Sequence, residues 1–558
     1  MPGGDLLDLL ESASASRGRV HLPDSPPEGT AFTDLWSRAH RVGQWLNGSF
    51  PGVDTVAGVL AASESCAALL LGTWIAGRRF ASLPEPARAM AASEYADQVT
   101  EILKLAGTDL FFVERLSNEI SGVRCLTYRE VGESNPLSGS DGGRLVQFTS
   151  GSTGSPKGVV LTMEAIARNL DAMQACYELG SGDVSVSWLP LSHDMGLMGT
   201  FLLPLVAMTP DRGGVQSVWM LTPEGFLADP LAWLRVVSSQ KGSFTMVPNF
   251  SLDIMVRRLK HASGLDLRSF RNLTVGAETV RGESLRRFAA EAERFGFDPI
   301  ALSPAFGMAE VALGVTSVRP AIGWKGVLVD REAFADARVE IRGQSGPEQG
   351  GLTQPDGAAS GEAPETEEVV SLGPALAPME FRVASVGSDR IGVLEVAGPS
   401  LAEELIGGAQ LDPRAGFIST NDLAFNVGGE LYFAGRADDW IVVHGRNIDA
   451  RGLEYRAGAH PALRPGNCVV VEDERGTYAV VAEPAGAAEG TALQSLGEDI
   501  RALCQAACGV APSRLVLVER GSLPKTPSGK LQRRRVALAL DGTGLAVVAE
   551  AVTGVLRD

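Results

Sequence analysis

Cysteine is scarce in this chain and its spacing carries no grammar. The six residues stand at positions 66, 125, 176, 468, 504 and 508, with no CxxC pair. That excludes a disulfide framework and a zinc ribbon or finger. Cys504 and Cys508 can share a helix face, but no histidine lies near them to complete a metal site, so all six read as buried or free thiols in a reducing compartment. Basic charge is also short. Forty-nine Lys and Arg against 67 Asp and Glu leave a net charge of −18, which argues against nucleic acid or an anionic membrane as a partner. Long apolar runs are missing: none approaches the ~18–20 residues of a membrane span, and the best candidate, 188–208, is broken by His193-Asp194. The start, MPGGDLLDLLESA, has acid where a secretory signal needs basic charge. Internal repeats are absent as well. These absences predict a cytoplasmic protein, a monomer or weak dimer, with no membrane or nucleic-acid partner.

What is present is a soluble globular composition, 45% hydrophobic and 21% charged, over 558 residues, enough for two to four domains. Residues 30–130 alternate helical periodicity, as over 32–50 (Leu35, Ala39, Val42, Trp45, Leu46), with short apolar runs such as 56–61 and 111–113. Strands alternating with helices imply a mostly parallel sheet covered on both faces. Ligands in such folds sit beyond the carboxyl ends of strands.

Five strand ends carry loops rich in Gly, Pro and polar residues. Val146-Gln147-Phe148 runs into TSGSTGSPKG at 149–158. Glycine lets backbone N–H groups approach a ligand, and hydroxyls with Lys157 add donors suited to phosphate. This is not a Walker A loop, because Pro156 precedes Lys157 and Gly158 follows it. The alternative is a plain hairpin connection. The strand 184–189 runs into Pro190-Leu191-Ser192-His193-Asp194. A lone histidine there would be a hydrogen-bonded structural residue; a His-Asp pair in apolar surroundings says more. The strands 244–247, 273–275 and 300–303 run into Pro248-Asn249-Phe250, Gly276-Ala277-Glu278 and Pro304-Ala305-Phe306-Gly307-Met308-Ala309-Glu310. Five such loops in series read as one active-site rim.

Residues 343–368 hold six acids, no Lys or Arg and almost no large apolar side chain, the composition of a disordered acidic insertion. Beyond it, Gly435-Arg436-Ala437-Asp438-Asp439 between strand-like runs marks the passage to a smaller domain, 436–558, following a large one, 1–435. The smaller domain reads as αβ, with strands at 468–472, 478–482 and 515–519 and a helix at 493–508. It ends in Pro524-Lys525-Thr526-Pro527-Ser528-Gly529-Lys530 and the basic run Arg533-Arg534-Arg535.

The order of these loops resembles the adenylate-forming superfamily of acyl-CoA synthetases, peptide-synthetase adenylation domains and luciferases. The resemblance spans nearly the whole chain and rests on TSGSTGSPKG, FGMAE at 306–310, the Asp422 segment, Gly435-Arg436 and PKTPSGK ending in Lys530. Within the superfamily, WLPLSHDMGLMG at 188–199, VPNF at 247–250 and the insertion before Ser371 look most like fatty acyl-AMP ligases.

The resemblance implies an α/β fold: a large domain of doubly wound sheets plus a small β subdomain, and a mobile α+β C-terminal domain turning about a hinge near Asp438. It implies ATP, Mg²⁺ and either CoA or the phosphopantetheine of an acyl carrier protein, with a carboxylic acid as substrate. Thr149, Ser150, Gly151, Ser152, Thr153, Gly154 and Lys157 would cradle phosphate, and Glu310 would hold the metal. Gly276, Ala277, Glu278, Phe306, Gly307, Met308 and Ala309 would border the adenine. Asp422 would accept from the ribose hydroxyls, with Arg436 in support. Lys530, His193 and Glu310 would be catalytic, Lys530 bridging carboxylate and α-phosphate.

Trp188, Met195, Met198, Met246 and Phe250 are candidate acyl-binding residues, and their bulk suits a large hydrophobic acid; the plainer reading makes them core. Two departures from the family pattern stand out: Phe306 where Tyr is usual, and Asn421 where Gly is usual, at a position expected to need positive φ. They raise the expectation of weak adenylation in an enzyme specialised for thioesterifying a preformed acyl-adenylate. Beside the acyl carrier reading stand an acyl-CoA ligase and a non-catalytic nucleotide- or acyl-binding regulator.

Overall fold

The computed structural model describes residues 4–86, 90, 92–115, 120, 122–135, 142–150, 156–347, 366–385, 387, 389–407, 416–443, 446–473, 476–486, 491–525, 531–541 and 544–552. Local sequence sets the elements. The helix Phe32–Ser49 buries Phe32, Leu35, Trp36, Ala39, Val42 and Leu46, the three-and-four spacing of a one-faced helix. The helix Met163–Tyr177 begins where the Thr162 hydroxyl accepts from the Ala165 N–H and ends at Glu178 in the left-handed region, φ 50°, both ordinary helix terminators.

The amino-terminal part holds two large sheets. One contains, in spatial order, Glu404–Ile406, Pro156–Thr162, Arg144–Ser150, Arg79–Ser82, Thr55–Gly58, Leu110–Val113 and Arg124–Thr127. The second runs Gly314–Ser317, Leu302–Gly307, Asn272–Gly276, Phe244–Pro248, Val184–Ser187, Ser217–Met220, Arg19–His21 and Thr30–Ala31. Its central strands are parallel, with Met246 opposite Thr274 and Thr274 opposite Ser303, so their carboxyl ends share one edge. Helices cover both sheets, as the alternation of elements requires.

A third, antiparallel sheet comprises Ile341–Ser345, Gly326–Asp330, Thr366–Pro374, Glu430–Arg436, Ile418–Val427, Gly392–Ala397 and Glu380–Ala384. It corrects the reading of 343–368 as disordered throughout. Both ends of that segment are strand, and Glu368 is clamped by both Arg286 nitrogens at 2.8 and 2.7 Å. Pairing with Gly326–Asp330 gives backbone order where composition predicts none; residues 348–365 lie outside the described set.

The carboxy-terminal part has its own sheet of Leu463–Asp473, Thr477–Pro484, Arg514–Val518 and Val547–Val552. Side chains alternate across it. Val470, Tyr478, Val480, Ala482, Leu515 and Leu517 pack with the helices Ala450–Gly458 and Thr491–Cys508, while Val469, Val471, Ala479, Val481, Val516 and Val518 pack with Val536 on the other face. This is the period-two signature of a strand buried on both sides. The division expected between 435 and 436 falls inside the strand Glu430–Arg436. Trp440 still donates its indole N–H to the Ala434 carbonyl at 3.2 Å, and the second core begins at Ile441.

Candidate active site

Four parallel strands deliver four loops to one edge of the second sheet. Val184–Ser187 leads to Trp188 and His193, Phe244–Pro248 to Asn249 and Phe250, Asn272–Gly276 to Ala277 and Glu278, and Leu302–Gly307 to Met308, Ala309 and Glu310. Glu278 reaches across to accept the Phe250 N–H at 2.5 Å, tying two loops together. Ala277 has φ 64°, a conformation an L-residue holds only when its surroundings enforce it. A side chain at Gly307 would meet the Leu313 carbonyl oxygen at 2.2 Å, so only glycine fits there. The last of these strands starts at Leu302, two residues later than periodicity suggests, because Pro299–Ala301 forms a short 3₁₀ turn.

The phosphate-loop candidate is a hairpin between antiparallel strands, with Thr149 opposite Lys157 and Ser150 opposite Pro156. The strands extend further than expected. Strand character continues through Ser150 and resumes at Pro156 because the two strands pair with each other to their ends, with Arg79–Ser82 and Glu404–Ile406 flanking them further from the turn. Gly151, Ser152, Thr153 and Gly154 lie outside the described residues, as does Lys530, and only the backbone of Thr149 and Ser150 is described.

Glu310 and this hairpin are joined through a distant segment. The Ala402 N–H donates to the Glu310 carbonyl and the Glu403 N–H to the Val160 carbonyl, each at 2.8 Å. Near Glu310, Asp422 and Arg436 are cross-strand partners, Arg436 Nε standing 3.8 Å from Asp422 Oδ1. The Thr420 hydroxyl accepts the Asp422 N–H at 3.1 Å and itself donates to the Leu394 carbonyl at 2.8 Å, which fixes the strand that presents Asp422. Phe306 neighbours Phe433, with ring centroids 6.1 Å apart and ring planes inclined by 29°.

Burial holds the Glu310 carboxyl above the ordinary carboxylate range; the charges of Asp194 and Asp422 add to that, while a backbone N–H and Arg436 oppose it. Three carboxylates therefore share one neighbourhood with one guanidinium. Among the described residues no three His, Cys, Asp or Glu side chains form a metal cage. Mg²⁺ rarely asks for one: it keeps waters and substrate phosphates and takes one or two carboxylates. Glu310, with unbalanced negative charge around it, fits that demand.

Asp194, noted in the sequence as half of a His-Asp pair but given no role there, is placed by the structure. Its Oδ1 lies 2.6 Å from His193 Nδ1 and accepts the Met195 N–H at 2.7 Å. It starts a segment, Met195–Leu202, wound as a π-helix, a form that is rare and frequent at functional sites. Close packing helps explain its glycines. A side chain at Gly196 would meet the Pro190 carbonyl oxygen at 2.1 Å and one at Gly199 the Met246 sulfur at 2.3 Å. The acyl-binding candidates Trp188, Met195, Met198 and Met246 are buried in the main core, with Phe250 partly buried beside it. Trp188 stacks on Phe226 at 3.9 Å and meets Phe250 edge-on at 6.3 Å. Asn421 corrects an expectation. It is exposed within the continuous strand Ile418–Val427 and has no positive φ, so glycine's freedom is not needed there.

Residues 9–350 match the family described as AMP-binding enzyme. The chain belongs to the AMP-binding enzymes. It is an adenylate-forming ligase. A Mycobacterium tuberculosis protein named provisionally as a ligase is 29% identical over 549 residues, spanning 93% of this chain and 96% of that one. The medium-chain-fatty-acid–[acyl-carrier-protein] ligase JamA of Moorena producens is 29% identical over 431 residues, spanning 72% of this chain and 69% of its own. A solved structure from studies of fatty acyl-adenylate ligases of E. coli and L. pneumophila superposes with a TM-score of 0.83, over 97% of this chain and 99% of that one, at 23% identity. That likeness concerns the fold: a large domain of sheets followed by a smaller one. Among the described residues no helix is long and apolar enough to cross a membrane.

Proposed function

We propose that this AMP-binding enzyme activates a bulky hydrophobic carboxylic acid with ATP and passes the acyl group to the pantetheine thiol of an acyl carrier protein. The observation that carries the proposal is the convergence of Glu310, Asp422 and Arg436 with the Lys157 hairpin, at the edge where four parallel strands end. In the first step a carboxylate oxygen of the acid attacks the α-phosphorus of ATP and pyrophosphate leaves. In the second the thiol sulfur attacks the acyl carbon, the thiol proton is lost and AMP leaves.

Each residue's role follows from its chemistry. Phe306 offers a flat face to the adenine, and Gly276 to Ala277 bring backbone close to it. Asp422 accepts from the ribose hydroxyls while Arg436 keeps its carboxylate oriented. The 149–157 hairpin, with Lys157, meets the phosphates; Lys530 is the cation that bridges carboxylate and α-phosphate. Mg²⁺ bound at Glu310 would neutralise charge on the departing pyrophosphate. His193, held by Asp194, stands at the acyl side. Asp438 is the proposed pivot of the small domain.

The hydrophobic acid is supported by the Trp188, Met195, Met198, Met246 and Phe250 wall, and the carrier protein by the name of one relative. The extended backbone at Asn421 removes one ground for a weakened first step. The test is product analysis by mass spectrometry with a panel of carboxylic acids, offering CoA and holo-acyl carrier protein as alternative acceptors. Acyl-carrier product with little acyl-CoA supports the proposal; acyl-CoA as the main product makes the chain an acyl-CoA ligase instead.

A further inference from the structure

A cation–π contact joins the site loops to the small domain. The Arg281 guanidinium lies over the Tyr455 ring, 3.8 Å from its centroid. Tyr455 belongs to the helix Ala450–Gly458 of the small domain, and Arg281 closes the loop that begins at Gly276. At its other end Arg281 is wired into the site. Its backbone N–H donates to Asn249 Oδ1 at 3.0 Å, and the Asn249 amide donates to Ser284 at 3.2 Å. Ser284 donates to Asp253 at 2.9 Å. Phe250, next to Asn249, donates its N–H to Glu278. The adenine-side and acyl-side loops thus form one hydrogen-bonded unit whose projecting arm is Arg281. Among the described residues, Arg331 with the Ala507 carbonyl, Arg535 with Glu94 and Phe334 with Trp440 also cross between the domains, and none of these residues belongs to the site loops.

We propose that Arg281 is a positioning residue: its stack on Tyr455 holds the small domain in the orientation seen here and makes that orientation depend on the state of the nucleotide and acyl loops. A half-buried guanidinium over an aromatic face is strong enough to bias a two-orientation equilibrium and weak enough to be broken each turnover. The inference rests on the proposed two-step reaction for its purpose, but the contact itself can be tested without turnover.

The experiment uses the full chain with Cys125→Ser and Cys508→Ser, spin-labelled at Ile322→Cys and Leu538→Cys, both 68% exposed and one on each domain. Inter-domain distances are measured for this parent and for Arg281→Met, Tyr455→Leu, both together and Tyr455→Phe. Arg281→Met and Tyr455→Leu should each raise the minor-distance population about two- to fivefold. The double variant should do no more than either single one, and Tyr455→Phe, which keeps the ring, should stay near the parent. In the same variants, pyrophosphate exchange and acyl transfer from preformed acyl-adenylate should shift in opposite directions. Unchanged distances in both single variants, additive effects in the double, or equal slowing of both half-reactions would overturn the inference. A wild type that performs neither half-reaction would instead count against the proposed function, leaving the distance result to judge Arg281 alone.

Discussion

The edge of the second sheet and the opening stretch of the small domain are built on opposite principles. At the sheet edge, Trp188, Met198, Met246 and Val275 are buried in one apolar core, and the loops that follow them are held by short backbone hydrogen bonds. Around Asp439, where the small domain begins, charge does the holding. Asp439 is paired with Arg451 at 2.5 Å and with Arg533, and Arg533 reaches Glu454 at 2.8 Å as well. Packed cores resist small displacements, while polar contacts exchange readily for water or for other partners. The comparison teaches that the candidate site loops stand on a packed apolar region, whereas the small domain opens on contacts that are ionic.

The sharpest break in this comparison comes from the site. Glu310→Gln should lower carboxylate-dependent pyrophosphate exchange by about 10²–10³-fold, the scale of losing one electrostatic stabiliser, with the fold unchanged by circular dichroism. Retained exchange would separate Glu310 from the chemistry. Next in size, Arg533→Met leaves Asp439 and Glu454 partly buried without their shared cation. It should cost about 3 kcal/mol of small-domain stability, read as an early unfolding transition while the large-domain transition stays in place. Simultaneous loss of both transitions would contradict the contrast drawn here.

A pH effect sharpens it further. Burial, with the nearby charges of Glu224 and Glu114, pushes the Glu85 carboxyl up to about 7. Its folded value lies above its unfolded one, so the folded chain holds the proton more tightly and this group's contribution to stability falls as pH rises from about 4.5 through 7. Glu85→Gln should therefore raise the melting temperature at pH 8 and leave it unchanged at pH 4. The smallest effect is expected at Asn421. Because its backbone is extended, Asn421→Gly should cost about 0.5–1 kcal/mol as a glycine in a strand and should not speed adenylation. A marked rate increase would restore the idea that this side chain crowds the nucleotide.

Much of the fold was readable from the chain because strands that end in Gly, Pro and polar residues announce both an element and its open end. Phe244–Pro248 followed by Asn249 and Asn272–Gly276 followed by Ala277 are examples. Glu310, Asp422 and Arg436 were gathered in the sequence by the family resemblance alone; the physical means of their gathering was not legible, since it depends on cross-strand register and on the Ala402–Glu403 segment, some 90 to 240 residues from its partners. The His193-Asp194 pair was legible, but not its geometry: the Asp194 carboxylate both meets His193 and accepts the Met195 N–H where the π-helix starts. The ends of the 343–368 segment misled because composition records an inability to form a core, whereas Glu368 is ordered by a neighbouring strand and by Arg286. Trp188 and Met246 were ambiguous between core and pocket, and the structure places both in the core at the proposed acyl wall.

The central claim is that these strand ends assemble an ATP-dependent carboxylate-activating site. Its most direct test is ATP–pyrophosphate exchange by the purified full chain across medium- and long-chain fatty acids and bulky cyclic carboxylic acids, with Mg²⁺ present. The account predicts exchange that requires the acid and is abolished in Glu310→Gln. Exchange absent from the wild type with every acid, or persisting in Glu310→Gln, would contradict it.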